Sequence, residues 1–558
     1  MRAAGRDRVR RGIVAAAGAS LAAGGAAGVV AIGPAPAAAA TLAVTSTADG
    51  GPGSLRQALA DATDDDVVDL SGVSGTIALT SGPLVLDHHL TISGPGAEAL
   101  TVSAGHASRV FEWDPTVGGT GTVELRGFTV ADGEAPASPA RGGGGILFAC
   151  GLNSATSLVL DHMALTGNHS VYLGGGLYFD ECNSGGEYGS LTITASVVSG
   201  NASYYSGAGG VWFDAGRDLT VTDTVISGNF SVGWAAAGID VGTGRTATIS
   251  GSRIVGNVNY YDQGGGASFR SIDATVTGTT IADNVTTQAG GAGIAVFGNY
   301  LRTFTLRDST VAGNVAEFYG GGLYVAGAAS AVVVENSTIS GNSAGQAGAV
   351  YGGVDGLRLV QSTVTANTAR NASADAAVGG ILLSGPAPSS PCGADAGHRA
   401  QTRPNGRSGA VVDRQRTTTA SDCAPVAPDA LGVLELVGTI VAGNVGADVG
   451  RWKDRTVSAR SDHSVLGVVE PAVPLTDRGG TRSGVVDPRL GPLADNGGPT
   501  RTHALLPDSP ALDAGPVPVP TFPENATDQR GPGFARVVNG VVDVGAFEVQ
   551  PVEPTFTG

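Results

Sequence analysis

The stretch LTITASVVSGN, residues 191–201, recurs eight more times along the chain. In all nine copies the third and eighth positions are aliphatic and the last is Asn, and the sixth is Ser or Thr except at Met163. Intervals between the central copies are 27 to 30 residues, a period that marks stacked repeats. The other copies occupy residues 158–168, 219–229, 247–257, 274–284, 304–314, 332–342, 357–367 and 434–444.

Each repeat predicts three short strands. The first and third positions alternate with polar neighbours, as in a strand with one buried face, and the eighth position marks a second strand. A third strand follows a Gly cluster, at residues 174–176, 209–210, 264–266, 290–291, 320–322 and 379–380. The Gly, Thr and Val content excludes helical repeats, and the consensus turn of leucine-rich repeats is absent. The sequence therefore predicts an all-β parallel solenoid with about 28 residues per coil.

The recurring Asn is predicted to be structural. Coils of a solenoid stack about 4.8 Å apart and become stable only when neighbours close a continuous core. An Asn at the same corner of every coil can then hydrogen-bond along the stack and tolerate a left-handed backbone. The predicted ladder comprises Asn168, Asn201, Asn229, Asn257, Asn284, Asn314, Asn342 and Asn367.

The pairing of a Gly-Gly-[Ala/Gly]-hydrophobic strand with a hydrophobic-x-x-Asn turn resembles the polymorphic-outer-membrane-protein type of right-handed β-helix repeat, over roughly residues 120–445. The resemblance implies a right-handed parallel β-helix. It leaves the activity open, because this architecture hosts lyases, hydrolases, adhesins and inert stalks. Residues 493–500, 511–515, 528–531 and 543–548 resemble the C-terminal choice-of-anchor module of exported β-helix proteins.

The amino-terminal 40 residues predict export. Five arginines between Arg2 and Arg11 precede an Ala/Gly/Val-rich run and an Ala-x-Ala site, as in a secretory signal peptide; a twin-arginine signal is the alternative. We expect an N-terminal cap and irregular coils at 41–141, with a short helix opened by Ser54 and Gln57 in a capping box. Regular coils follow at 142–445, interrupted by a basic insertion at 385–430, and a capping module occupies 446–558.

The charge of the chain limits the classes of partner that it can bind, and its cysteines bear on its location. The formal charge of −17 argues against nucleic acid as a partner, and no later apolar run approaches the ~20 residues that span a bilayer.

A secreted or cell-surface location, in an oxidising environment, favours disulfides. We expect Cys150 to pair with Cys182 and Cys392 with Cys423, since other pairings would link distant coils. The insertion either binds a polyanion, covers the side of the solenoid or is a disordered excursion.

The strand after the glycines carries the candidate catalytic groups. Its second and fourth positions point outward and gather, on neighbouring coils, Tyr178, Asp180, Trp212, Asp214, Asp240 and Arg270. Asp180 and Asp214 are predicted about 5 Å apart, a separation suited to an acid and a nucleophile. However, the motif set of pectin-hydrolysing β-helices is missing, and Arg270 is the only basic group in these columns. The candidate catalytic residues are therefore Asp180, Asp214, Asp240 and Arg270.

Aromatic residues form a second stripe, four or five positions after the Asn. Aromatic faces beside carboxylates suit sugar rings, although exposed rings also pack against long turns. The ligand-binding candidates are Tyr172, Tyr178, Tyr205, Trp212, Trp234 and Tyr261, and Phe318 continues the stripe. These residues predict a binding, adhesion or structural protein with a glycan-binding strip; a polysaccharide lyase or glycoside hydrolase is the alternative.

Cofactors are not expected from the sequence. The eight histidines are scattered, and the one pair, His88 and His89, is assigned to a strand turn. Acidic residues 64–66 are interpreted as a solvated turn, with a calcium loop as the alternative. The expected partner is an extracellular or cell-wall polysaccharide.

Overall fold

The computed structural model describes residues 39–137, 142–150, 154–180, 183–184, 187–233, 235–297, 303–326, 331–352, 356–371, 377–384, 432–453, 455–520 and 526–551. The basic insertion at 385–430, nearly all of the signal peptide, Trp234 and Cys182 lie outside these ranges. Predictions that concern them stay predictions.

One coil of the repeat visits four parallel sheets in turn. Within the opening stretch, Leu191–Thr194 lies in sheet 1 and Val197–Ser199 lies in sheet 2. The chain continues through Ala202–Ser203 in sheet 3 and Val211–Phe213 in sheet 4, and then returns to sheet 1 one coil further on. The predicted parallel β-solenoid with three strands per coil is confirmed, and the two-residue strands of sheet 3 are an addition. Sheet 3 begins only at Glu134–Ala135.

The strands of each sheet are as follows. Sheet 1 contains Thr41–Ala43, Val67–Asp69, Thr91–Ser93, Thr122–Arg126, Ser157–Asp161, Leu191–Thr194, Asp218–Thr222, Thr246–Ser250, Asp273–Thr277, Phe304–Arg307, Val332–Glu335, Leu357–Val360, Gly432–Val437, Val457–Asp462 and Leu475–Asp477. Sheet 2 contains Gly75–Ala78, Leu100–Ser103, Thr129–Ala131, Ala164–Thr166, Val197–Ser199, Val225–Ser227, Arg253–Val255, Thr280–Ala282, Thr310–Ala312, Thr338–Ser340, Thr363–Thr365, Ile440–Val441 and Val465–Leu466. Sheet 3 contains Glu134–Ala135, His169–Ser170, Ala202–Ser203, Phe230–Ser231, Val258–Asn259, Val285–Thr286, Val315–Ala316, Ser343–Ala344 and Thr368–Ala369. Sheet 4 contains Leu84–Leu86, Phe111–Trp113, Ile146–Ala149, Leu177–Asp180, Val211–Phe213, Ile239–Val241, Ala267–Arg270, Ile294–Phe297, Leu323–Ala326, Val350–Gly352, Val378–Leu383 and Ala447–Arg451. Two hairpins pair Asn183–Ser184 with Glu187–Tyr188 and Leu490–Ala494 with Thr502–Leu505.

Identical positions of successive coils stack in the core. Phe148, Phe179 and Phe213 lie on neighbouring strands of sheet 4, and their ring centroids are 5.6 and 5.5 Å apart. All three are fully buried. A coil therefore buries its apolar positions mainly against the coils before and after it, which is why the sequence pattern repeats.

The recurring Asn side chains form a continuous hydrogen-bonded ladder. Asn201 Nδ2 donates to Asn229 Oδ1 at 3.0 Å and to Leu165 O at 3.0 Å. The backbone N–H of Asn201 donates to the same Asn229 oxygen at 3.0 Å. The pattern runs from Asn168 to Asn444, and every side chain from Asn168 to Asn367 is fully buried. Because buried polar groups need partners, each Asn satisfies its neighbour as well as itself.

A short helix, Leu55–Asp61, covers the first coils. Ser54 caps it by accepting from the Gln57 N–H at 3.2 Å, as expected. The expected return bond is wrong, because the Gln57 amide instead donates to Asp61 Oδ1 at 2.8 Å. Leu55 and Leu59 join the solenoid core. No helix among the described residues is long and apolar enough to cross a membrane.

The C-terminal segment folds back along the outer face of sheet 2. Gln529 bonds with Thr310 and Thr338, His503 Nε2 lies 2.7 Å from Ser340 Oγ, and the Ala546 N–H donates to Thr363 Oγ1 at 3.0 Å. These outward-facing residues of sheet 2 are buried as a result. In earlier coils the corresponding positions are more open, since Val197 and Arg253 are exposed and Ala164, Val225 and Thr280 are partly exposed.

The segments that resemble a choice-of-anchor module supply the buried charges of this contact. Arg530 donates to both oxygens of Asp528 and lies between the rings of Phe534 and Phe547, at 3.9 and 3.8 Å. The fully buried Arg536 donates to Asn336 Oδ1 of the solenoid. Burial raises the pKa of Glu548 to about 8. Arg536 thus joins the C-terminal segment to the coils, whereas Arg530, Asp528 and Glu548 bond to one another within that segment.

Candidate functional site

Sheet 4 carries a row of outward-facing side chains that includes Asp240 and lies beside Arg270, two of the four candidate catalytic residues. Tyr178, Trp212, Asp240 and Ser268 occupy paired positions on four adjacent strands. Arg270 extends from the same strand as Ser268, and its Nη2 donates to Asp240 Oδ1 at 2.5 Å. The Arg270 guanidinium carbon lies 5.4 Å from the centroid of the Trp212 ring. Residues that are far apart in sequence thus form one charged and aromatic cluster.

This row points away from the core but is not exposed, which corrects the expectation of an open strip. Tyr178 is only 8% exposed, and Asp240 and Ser268 are buried. The cover is the glycine cluster, which folds directly onto the strand after it. Gly174 has φ +59, and a Cβ there would lie 2.2 Å from Leu177 O and 3.0 Å from Tyr178 Cα. Glycine is required at this turn because any side chain would collide with the strand that it covers.

The carboxyl group of Asp240 has a raised pKa. Its complete burial raises its pKa to about 6, and the charge of Arg270 only partly opposes this effect. Asp240 is thus protonated more readily than an ordinary carboxylate. A group of this kind can act as a general acid only where a substrate reaches it, and Asp240 is shut off from solvent.

The other two candidate carboxylates have separate partners. Tyr178 donates its hydroxyl hydrogen to Asp180 Oδ2 at 2.5 Å. Asp214 Oδ1 accepts from the Thr243 N–H at 2.6 Å and from the Ala215 N–H at 2.9 Å, which joins it to the next coil. Asp214 therefore links two successive coils, whereas Asp180 bonds to the tyrosine of its own strand.

The second aromatic stripe lies at the surface. It runs along the loops between sheets 3 and 4, and we call its five exposed rings the aromatic ridge: Tyr204 (48% exposed), Tyr205 (59%), Tyr260 (40%), Tyr261 (52%) and Phe318 (48%). Tyr172 is half-buried and meets Tyr205 edge to face, with ring centroids 5.6 Å apart. Tyr204 and Tyr260 were not among the predicted binding residues, although the Tyr-Tyr pairs at 204–205 and 260–261 are visible in the sequence.

The ridge follows the solenoid axis. From Tyr205 to Phe318 there are four coil steps, about 19 Å at ~4.8 Å per step. Gly233, in the coil between Tyr205 and Tyr261, lies close to both, since a Cβ there would be 3.5 Å from Tyr261 Cβ and 3.8 Å from Tyr205 O. Tyr260 and Tyr261 meet at right angles, with centroids 4.6 Å apart. The ridge therefore presents ring faces and edges at intervals set by the coil spacing.

A third group of side chains was missed entirely by the sequence analysis. His106 and His169, interpreted above as scattered, stack with ring centroids 4.6 Å apart and ring planes 16° from parallel. Glu134 Oε2 lies 3.5 Å from His169 Nδ1 and 3.9 Å from His106 Nδ1. Among the described residues this is the one convergence of three or more potential metal ligands. Only the stacking of three coils reveals it, because the histidines are 63 positions apart.

The acidic turn at residues 64–66 uses its carboxylates locally. Asp66 accepts from the backbone N–H groups of Ala40 at 2.6 Å and Thr63 at 2.8 Å. Asp64 accepts from the His89 N–H at 2.9 Å. Asp64 and Asp65 are exposed, as expected for a solvated turn, but Asp66 is buried by its backbone bonds.

Only Cys150 of the four cysteines lies in the described part of the chain. It is buried and is not a free thiol. Cys182, Cys392 and Cys423 lie outside the described ranges, so both disulfide pairings stay predictions.

Comparisons with known proteins agree with the architecture. Residues 173–369 match the family model described as a right handed beta helix region. The chain is a right-handed parallel β-helix protein. A similar solved structure is the A-module of the mannuronan C-5 epimerase AlgE6 of Azotobacter vinelandii, with 13% identity, 79% of this chain and 97% of that chain covered, and a TM-score of 0.33. No curated protein matches the sequence.

Proposed function

We propose that this β-helix protein is exported and binds an extracellular polysaccharide along the aromatic ridge. The observation that carries the proposal is the exposure of Tyr205, Tyr261 and Phe318, each about half open to solvent on separate coils. Soluble proteins rarely leave a row of large rings uncovered unless the row contacts something. A polymer of similar units is a fitting ligand, because the ridge repeats along the solenoid axis.

The chemistry of the ridge suits sugars. Ring faces pack against the C–H faces of a pyranose, and tyrosine hydroxyls exchange hydrogen bonds with its hydroxyl groups. Glu317, beside Phe318, is 57% exposed at its side chain and adds a carboxylate acceptor. The net charge of −17 disfavours an anionic polymer. A neutral polysaccharide is accordingly the proposed ligand class.

A polysaccharide lyase or glycoside hydrolase is the second candidate. One observation favours it, namely the raised pKa of Asp240, since catalytic acids often have such values. The full burial of Asp240 opposes it. Binding without turnover, as in an adhesion or structural role, therefore accounts for more of the geometry.

A panel of soluble and insoluble polysaccharides tests both candidates. Binding is measured by retention, and turnover by new reducing ends and by the absorbance of unsaturated products. We expect retention on at least one neutral polysaccharide, without product. The double variant Tyr205→Ala, Tyr261→Ala should bind that polymer at least about tenfold more weakly.

Two controls separate the explanations. Tyr188→Ala removes a tyrosine that is 42% exposed but lies on a hairpin outside the ridge, and its binding should equal that of the wild type. Asp240→Asn should leave binding intact; product formation that disappears in this variant would instead establish the enzyme. Wild-type failure to bind any member of the panel would refute the ridge proposal.

A further inference from the structure

We propose that His106, Glu134 and His169 bind one divalent transition-metal ion, with Zn²⁺ as the best-fitting species. The three residues come from three successive coils. Glu134 opens the first strand of sheet 3, His169 opens the second, and His106 belongs to the coil before sheet 3 begins. Glu134 and His169 are paired in register. The proposal does not depend on polysaccharide binding.

The geometry is close to that of a metal site. One ligand atom from each residue can be chosen so that all three lie within 4.8 Å of one another. In a tetrahedral zinc site with bonds of 2.0–2.1 Å, ligand atoms are about 3.3 Å apart. The distances of 3.5 and 3.9 Å from Glu134 Oε2 to the two imidazoles are only slightly longer. Because the two imidazole rings are stacked nearly parallel, both side chains must rotate to aim a nitrogen at the same ion.

The ligand set selects the class of metal. Two imidazole nitrogens and one carboxylate oxygen suit Zn²⁺, Cu²⁺ or Ni²⁺, whereas Ca²⁺ and Mg²⁺ require oxygen ligands. No Lys or Arg of the described ranges forms a salt bridge with Glu134, so its charge is directed at the two histidines. Asp132 Oδ1 lies 3.9 Å from His106 Nε2, too far for a hydrogen bond, and adds a second negative charge beside the site.

The position of the site suggests what the ion would do. His106, Glu134 and His169 are 45%, 32% and 28% exposed at their side chains, so a water molecule can complete the coordination. An ion held by all three would join consecutive coils at the first strand of sheet 3. Coils of a solenoid are stabilised only by their neighbours, and a bond across three of them would resist fraying at this edge. We therefore expect a structural ion.

The test uses the full-length protein after removal of metals with a chelator. Calorimetric titration with Zn²⁺ should give one ion per chain, and Ca²⁺ should give none. Co²⁺ should produce the visible absorption of a tetrahedral nitrogen and oxygen site. Glu134→Gln and His169→Ala should each weaken Zn²⁺ binding at least about tenfold. His162→Ala removes an exposed histidine outside the site and should bind like the wild type.

Equal Zn²⁺ affinity in the wild type and Glu134→Gln would overturn the proposal, as would the lack of stoichiometric binding. The two stacked imidazoles would then simply neutralise Glu134. Circular dichroism in chelator shows whether each variant is folded. If His169→Ala is not, Glu134→Gln decides, because it keeps the size of the side chain and removes only the charge.

Discussion

The side-chain amide of Gln529 donates to Thr310 Oγ1 at 2.9 Å, although 219 residues separate the two along the chain. The same amide donates to Ser309 O at 3.2 Å and to Thr500 Oγ1 at 2.9 Å, and its oxygen accepts from Thr338 Oγ1 at 2.6 Å. Gln529 is fully buried. It therefore joins the C-terminal segment to two successive coils through one polar contact.

Gln529→Ala should lower the free energy of unfolding by about 1 to 3 kcal/mol, because buried hydroxyls and a carbonyl lose their partner. The change is measured as a shift of the denaturant midpoint, with the slope compared between variants. Gln550→Ala is the matched control, since that amide bonds near the surface with Ala535 O. Indistinguishable midpoints for the two variants would show that the contact contributes nothing.

Asn257→Ala interrupts the ladder at its middle. The wild-type Asn257 oxygen accepts from the Asn229 backbone N–H at 3.0 Å and from Asn229 Nδ2 at 2.9 Å. With the Asn229 backbone N–H and one Asn229 Nδ2 hydrogen left unpaired in the interior, we expect a loss of about 2 to 4 kcal/mol. Thr248→Ala, on the exposed face of sheet 1, should change stability little. Hydrogen exchange near Asn229 should accelerate in Asn257→Ala alone. Unaltered exchange there would contradict a stabilising role of the ladder hydrogen bonds.

The repeat made most of the fold predictable. Every coil packs in the same way. The alternation around Leu191 therefore predicted the strand, and the recurring Asn201 predicted the corner and the coil length. The docking of the C-terminal segment was not predictable, because it depends on contacts between residues about 200 positions apart. One local sign existed. Thr310, Thr338 and Thr363 place threonine at the same outward position of three coils that the segment covers.

The site was predictable only in part, for a related reason. Aligning the repeats placed Tyr178, Trp212 and Asp240 on one row. The repeat predicts that these side chains point away from the core, but not whether they are exposed to solvent. Whether an outward side chain meets water depends on the loop above it, here the turn at Gly174. His106 lies in an irregular coil and His169 in a regular one. The sequence repeat does not give the register between two such coils, so it could not predict that these histidines meet.

The stability of the protein should carry a pH dependence from Asp240. Its pKa is about 6 in the folded state and near 3.8 when unfolded, so its contribution is fully present below pH 4 and is lost as the pH rises through 6. The loss amounts to about 3 kcal/mol. Asp240→Asn abolishes this titration. Relative to the wild type, it should gain stability between pH 4 and pH 7.

Unfolding curves at pH 4, 5, 6 and 7 provide the measurement. Asp283→Asn is the control, since it alters an exposed carboxylate at a corner whose φ of +55 asparagine tolerates. A constant difference between Asp240→Asn and the wild type across this range would mean that Asp240 is not buried as described.

The affinity of the protein for neutral oligosaccharides of increasing length tests the central claim most directly. If the ridge from Tyr205 to Phe318 binds one chain, affinity should rise with oligosaccharide length and level off when the chain spans the rings. Phe318→Ala should move that plateau to a shorter length and leave the shortest ligands unaffected. An affinity that does not depend on length, or a plateau unchanged in Phe318→Ala, would contradict binding along the ridge.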